Sequence, residues 1–226
     1  MKQFVFLYPI PEYINWEIEN GSYGWDCKPW MNKWEKIFEN LNEEERDKTR
    51  PKALKEKQAR FRPHYSRILN KCIDKRYREK GFKINWVIFK DHTISNVIDV
   101  QDGDIIIEAD IDFRTHTTKR VDGTYQYPNN DFILNHIGDS SLVRIAGFHR
   151  WDCVDKLAKR AYERKNSVLV DEDLTEMFYG RFKDKNFRVD KYPTYNPRQF
   201  DTKEDDYLFK QFMKARENKP WLWQDY

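Results

Sequence analysis

Five short apolar runs constrain this chain more than any other feature: Phe4-Val5-Phe6-Leu7, Ile84 to Phe89 (INWVIF), Asp104 to Ala109 (DIIIEA), Leu142 to Ala146, and Val168 to Val170. None alternates polar with apolar residues, so each reads as a strand covered on both faces. The first stops at Tyr8-Pro9-Ile10-Pro11, because proline cannot donate to a central ladder. Between Asp152 and Lys165 the apolar residues Val154, Leu157, Ala158 and Ala161 follow the i, i+3, i+4, i+7 spacing of an amphipathic helix. Strands separated by helices of that length form βαβ units. The expected fold class is therefore α/β, a mostly parallel central sheet flanked by helices in three layers. At 226 residues and 39% hydrophobic content, the chain can bury one full core despite its 35% charged residues.

The rest of the chain is read around those strands. Residues Asn15 to Trp34 are rich in Trp, Gly and Asn and read as loop, with turns at Gly21 and Gly24. Helix is expected from Trp34 to Lys80, interrupted near Arg50-Pro51 and Arg62-Pro63 and stopped by Gly81. Asp112 to Asn130 is polar and turn-rich, broken at Gly123 and Pro128. Phe132 to Ile137 reads as a short helix closed by Gly138. One domain over 1–180 follows, with 181–226 as a C-terminal extension that packs on the domain or on a partner. That extension carries Pro193, Pro197 and Pro220 and is periodic only from Tyr207 to Ala215. Trp16, Trp25, Trp30 and Trp34 near one end, with Trp221 and Trp223 at the other, suggest that the termini pack together as a second small core, and are compatible with a homo-oligomer interface.

Several classes are excluded or disfavoured. No window approaches the roughly 18 to 20 apolar residues of a membrane span, and the opening residues hold too short an apolar run for a signal peptide, so a cytoplasmic protein without membrane partner is expected. Cys27, Cys72 and Cys153 lie far apart without CxxC or Cys/His spacing, which fits a reducing compartment and no zinc site. Residues 45–90 carry 16 Lys or Arg against 5 Asp or Glu, whereas residues 91–140 carry 3 against 10. The basic block is laid out as a helix around Leu54, Phe61, Ile68, Leu69 and Ile73, so it reads as a solvated helical face ahead of a nucleic-acid contact.

In an open parallel sheet, ligands bind beyond the carboxyl ends of the strands. That rule selects Tyr8 and Glu12; Glu108, Asp110 and Asp112; His149, Asp152 and Cys153; and Asp171, Glu172 and Asp173. Cys153 opens a helix, where the dipole and free N–H groups favour a thiolate, while Asp152 and Asp155 oppose it. Its competing reading is a small buried hydrophobe, and that of His149 is a structural histidine. The pairs Asp110-x-Asp112 and Asp171 to Asp173 raise a different chemistry, Mg²⁺ or Mn²⁺ activating a water against a phosphate ester. Against it stand solvated loops and an N-cap role for Asp173.

The stretch LVRIAGFHRWDCVDKLAKRAYERKNSVLVDEDLTEMF resembles the isochorismatase-like superfamily of cysteine hydrolases, which includes the nicotinamidases. Gly147 and Cys153-Val154 fall where that family has its glycine and its nucleophilic Cys-Val. Ala158, Ala161 and Asp171 fit the following helix and strand end, and VFLYPIPEYI fits the first strand. The resemblance covers residues 4 to 178 and implies hydrolysis of an amide, imide or vinyl-ether bond by an Asp, Lys and Cys triad. The sequence departs from that triad twice, with Tyr8 and Pro9 in place of the Asp and Glu108, Ala109 and Asp110 in place of the Lys. The expectation is a cofactor-free hydrolase of a small molecule, with Cys153 as nucleophile, Glu12, Asp110 or His149 positioning or activating it, and Tyr8, Asp152 and Asp171 around the substrate. Two alternatives stand beside it: a binding or scaffold protein, of the kind a phage, virus or mobile element carries, that kept the fold and lost the triad; and a metal-dependent phosphohydrolase or nuclease using the acidic strand ends.

Overall fold

Strands β1 (Lys2–Leu7), β2 (Lys83–Ile88), β3 (Ile105–Glu108), β4 (Leu142–Gly147) and β5 (Ser167–Thr175) form one sheet in the order β3-β2-β1-β4-β5, every neighbouring pair parallel. These elements come from a computed structural model that describes residues 1–20, 28–176, 178, 187–191, 210, 214 and 216–222. Gly21, Gly24, Trp25, Cys27, Pro193, Pro197, Trp223 and most of the Tyr207 to Ala215 segment lie outside the described residues. The helices are α1 (Pro11–Asn20), α2 (Lys28–Glu39), α3 (Glu43–Arg76), α4 (Phe113–Thr117), α5 (Asn130–Ile137) and α6 (Cys153–Glu163). Crossovers from β1 to β2 and from β4 to β5 run in opposite directions, so right-handed connections place their helices on opposite faces. In keeping with this, α1 and α2 pack on α3, while α5 packs on α6. Among the described residues no helix is long and apolar enough to cross a membrane.

The non-alternating runs behave as central strands where they are central. Phe4, Val5, Phe6 and Leu7 are each at most 1% exposed. The run at β3, one of the two sheet edges, departs from that expectation: Ile107 is buried, but Ile106 on the opposite face is half exposed.

Helix extends further than the local signals suggest. The segment read as loop from Asn15 contains most of α1, which begins with Pro11, a residue whose fixed φ and missing N–H suit the first helical turn. Ile14 and Ile18 bury one face of it. α3 starts at an Asn42–Glu45 capping box and runs unbroken through Pro51 and Pro63. Each proline deprives the carbonyl four residues earlier of its donor. Those carbonyls belong to Asp47 and Ala59 on the exposed side of the helix, where the lost donor costs least because solvent is at hand. Gly81 and Gly138 close their elements as expected, both at positive φ.

Of the tryptophans near the two ends, the described Trp34 and Trp221 sit on different elements. Trp34 is buried on α2, which packs against α3, whereas Trp221 donates its indole N–H to Asp155 of α6 at 2.5 Å. Trp16 is exposed.

The acidic stretch Asp171 to Asp173 is also placed differently. Instead of ending the strand it forms a bulge inside β5: Ile145 pairs with Val170, yet Gly147 pairs with Thr175. Asp171 Oδ1 accepts the amides of Asp173 and Leu174 and so holds the bulge closed. Arg76, at the end of α3, donates to both oxygens of Asp171 at 3.1 Å and to Asp173 at 3.0 Å, all with no more than 3% of their side chains exposed. The Tyr77 hydroxyl adds a bond to Asp171. Glu172 points the other way, to Arg150 and Arg216. Part of the basic block is thus an interior counter-charge and not a solvated face. Replacing Arg76 by Met removes the buried cation that Asp171 and Asp173 share. R76M is expected to lose about 3–5 kcal/mol of stability, read as a lower midpoint in urea unfolding; a loss under about 1 kcal/mol would show that the bulge does not depend on this pair.

Candidate active site

The chain leaves β1 toward β2 and β3 and later returns to place β4 on the other side of β1, so the switch point of the sheet lies between β1 and β4. Gly147 makes the junction tight. Its φ is +106°, and a Cβ there would sit 2.2 Å from the Leu7 carbonyl oxygen. The two strand ends therefore deliver Tyr8 and the turn Phe148–Asp152 side by side, and Phe148 N–H bonds the Leu7 carbonyl. The Phe148–His149 peptide is cis. Cys153 follows as the first residue of α6.

The group facing this thiol comes from the loop after β3. Asp112 caps α4, accepting the Thr115 amide at 2.6 Å and the Thr115 hydroxyl at 2.9 Å, which also hold its carboxyl below the usual range. One turn on, His116 is buried, with its Nε2 3.8 Å from Cys153 Sγ. His116 Nδ1 lies 2.8 Å from the Gln126 carbonyl, an acceptor, so Nδ1 carries the proton and the Nε2 lone pair faces the sulfur. Phe89 stacks on the imidazole at 5.0 Å, and Tyr127 meets it edge-on at 5.4 Å.

Both partners rest neutral. Burial pushes the Cys153 thiol up to about 12, and the Asp152 charge adds to it; the His149 and Cys153 backbone amides and Lys156 oppose them without prevailing. Burial likewise holds His116 below the ordinary histidine value, against the Gln126 carbonyl that favours its charged form. The thiol is 4% exposed. Beside it opens a cavity of about 270 Å³ lined by Tyr13, His116, Thr117, Tyr125, Tyr127, His149 and Asp152. Cys153 lies just behind this wall.

The strand-end residues sort into three groups. Cys153, His149 and Asp152 come together: Asp152 accepts from Tyr127 at 3.0 Å and pairs with Lys156, and the His149 ring meets Tyr13 edge-on at 4.4 Å. Tyr8 lies beneath the cavity and not in its wall, at φ +54° and stacked on Phe89 at 4.3 Å. Burial, followed by the nearby Cys153, holds its phenol far above the ordinary tyrosine value. Glu12, Asp110 and Asp171 stand elsewhere. Glu12 is exposed near His92 at 3.6 Å, because one helical step turns it away from the side that presents Tyr13 to the cavity. Asp110 is exposed and accepts the Asn129 amide at 2.8 Å, and Asp171 is the fully buried partner of Arg76. Among the described residues no three His, Cys, Asp or Glu side chains converge as a metal site.

Sequence reasoning passed over His116, Tyr13, Tyr127 and Glu176. The signal for His116 was present but faint: Asp112 three residues before Thr115 is an N-cap pattern inside a segment read as turns. No family model matches the chain, and no curated protein or solved structure gives a significant match.

A neutral, covered thiol has a simple consequence. Cys153 is expected to react with iodoacetamide at pH 7 at least tenfold more slowly than a free small thiol, with the rate still climbing above pH 10, since it follows the thiolate fraction. Mass spectrometry of the labelled peptide reads the rate; a plateau between pH 6 and 8 would mean a thiolate already formed at rest.

Proposed function

We propose that the protein is a hydrolase of a small molecule, acting on an amide or similar C–N bond, in which Cys153 is the nucleophile and His116 its base. The observation that carries this reading is the 3.8 Å contact between Sγ and Nε2, with the imidazole tautomer set by the Gln126 carbonyl. Nucleophilic catalysis by a thiol requires a neighbouring acceptor for its proton, itself oriented by a third group. The resemblance to isochorismatase-like hydrolases adds the position of the thiol, after a strand, a glycine and a turn. It does not add the base, since Tyr8 and Pro9 stand where the family has its Asp and the histidine comes instead from the segment after β3.

Because the resting pair is neutral, ionisation accompanies attack. The Cys153 proton passes to His116 Nε2 as sulfur bonds the carbonyl carbon. The C–N bond then breaks, and the departing nitrogen keeps the electron pair and takes the proton from the His116 imidazolium. The start of α6, whose first residue is Cys153, favours negative charge on the sulfur as it loses its proton. Three tyrosines in the cavity wall offer flat faces and hydroxyls to the rest of the substrate.

A second reading, a binding protein without catalysis, draws on one observation, the 4% exposure of Cys153. An activated ester separates the two. p-Nitrophenyl acetate is expected to give a burst of p-nitrophenol, one per chain, that Cys153→Ala abolishes and His116→Ala slows by about 10²- to 10⁴-fold. A burst that survives in the Cys153→Ala protein, or no acylation of the native chain at all, would overturn the hydrolase reading and leave the binding one.

A further inference from the structure

The acylation pair uses one of two histidines in the cavity wall. The other, His149, is held by a carboxylate from a further strand end. Glu176 follows β5, its own N–H bonding the Gly147 carbonyl at 3.0 Å and so tying it to the same junction. Its Oε2 accepts the Arg150 amide at 2.8 Å and lies 3.5 Å from His149 Nδ1. Tyr13 packs edge-on against the imidazole, which limits the ring's rotation. With Nδ1 turned to the carboxylate, Nε2 is the nitrogen left to act on the cavity that His149 lines together with His116.

Resting on the reading of Cys153 as a nucleophile, we infer that His149 is the base of the second half-reaction and that Glu176 is its positioning residue. The protein thus divides proton transfer between two imidazoles, His116 for the thiol and His149 for water. In the second half-reaction the oxygen of water bonds the thioester carbon while one of its protons passes to His149 Nε2. The C–S bond then breaks, its electron pair returns to Cys153, and sulfur regains the proton from the imidazolium as the acid product leaves. Glu176 keeps Nδ1 protonated and stabilises the imidazolium, the task of an orienting carboxylate beside a catalytic histidine. Burial presses its own carboxyl upward, but His149 and the Arg150 amide prevail and hold it below the ordinary glutamate value, so it stays charged.

The division has a kinetic signature that a merely structural carboxylate would not produce. With p-nitrophenyl acetate, Glu176→Gln is expected to keep the burst at one per chain and at its native rate, while steady-state turnover falls about 10- to 100-fold and acetylated Cys153 accumulates in the mass spectrum. Glu176→Asp, which keeps the charge, should recover part of the turnover, and His149→Gln should lower turnover at least as far as Glu176→Gln, with acetylated Cys153 again accumulating. If Glu176→Gln does not fold, the Glu176→Asp and His149→Gln variants decide by the same criterion. Burst and turnover reduced together, or neither reduced, would overturn the assignment of Glu176 and His149 while leaving Cys153 and His116 in place; absence of a burst in the native chain would remove both readings.

Discussion

The close approach of β4 to β1 at Gly147 is the constraint on which the rest of the molecule depends. Only a residue without Cβ fits there, with the Leu7 carbonyl 2.2 Å from where that atom would lie. Because the strands run parallel and in register up to that point, Leu7 and Gly147 end together and the chain must turn away in two directions. Tyr8 takes the left-handed conformation on one side, and Phe148 to Asp152 form the turn into α6 on the other. The crevice between those exits is where helix dipole and strand-end loops converge in doubly wound sheets. Here it holds the thiol, two imidazoles and three tyrosines.

Charge in the interior is handled by the same economy of strand ends. The β5 bulge reverses successive acidic side chains, so Asp171 and Asp173 meet Arg76 while Glu172 meets Arg150 and Arg216. Buried carboxylates are tolerable only with cations and hydrogen bonds in place. The bulge lets β5 rejoin its register at Thr175 and then presents Glu176 to the turn after β4. A stretch that sequence alone presents as an acidic rim is thus an internal strut, and only the glutamate that follows it reaches the cavity.

Around Cys153 burial outweighs the helix dipole. The start of α6 and two backbone amides pull toward a thiolate, but desolvation and Asp152 pull harder the other way. In the hydrolase reading proposed above, such a thiol stays quiet until a substrate is seated and the neighbouring imidazole takes its proton; at rest, its neutral form resists adventitious reaction. In the same proposal, His116 suits the task because burial lowers its affinity for a proton it would pass on. These properties belong to the pair and its enclosure, not to either residue type.

By itself the sequence determined the sheet. Phe4 to Leu7, Ile84 to Phe89 and Leu142 to Ala146 are apolar without alternation, and such runs are stable only as strands covered on both faces and linked by helices, which compels a parallel α/β arrangement. The local pattern also placed Cys153 at a helix start beside Gly147 and set His149 and Asp152 near it, because those relations span only a few residues. What tertiary structure decided are the relations across long separations. His116 reaches Cys153 only because β3 and β4 end at the same edge of the sheet; Asp171 becomes a core ion partner only because α3 ends against β5; and Glu12 is lost to the site because α1, hidden in a Trp- and Asn-rich stretch, presents Tyr13 instead. Side-chain periodicity records which face of an element is buried. It carries no record of which distant element covers that face, and the chemistry of this site is made there.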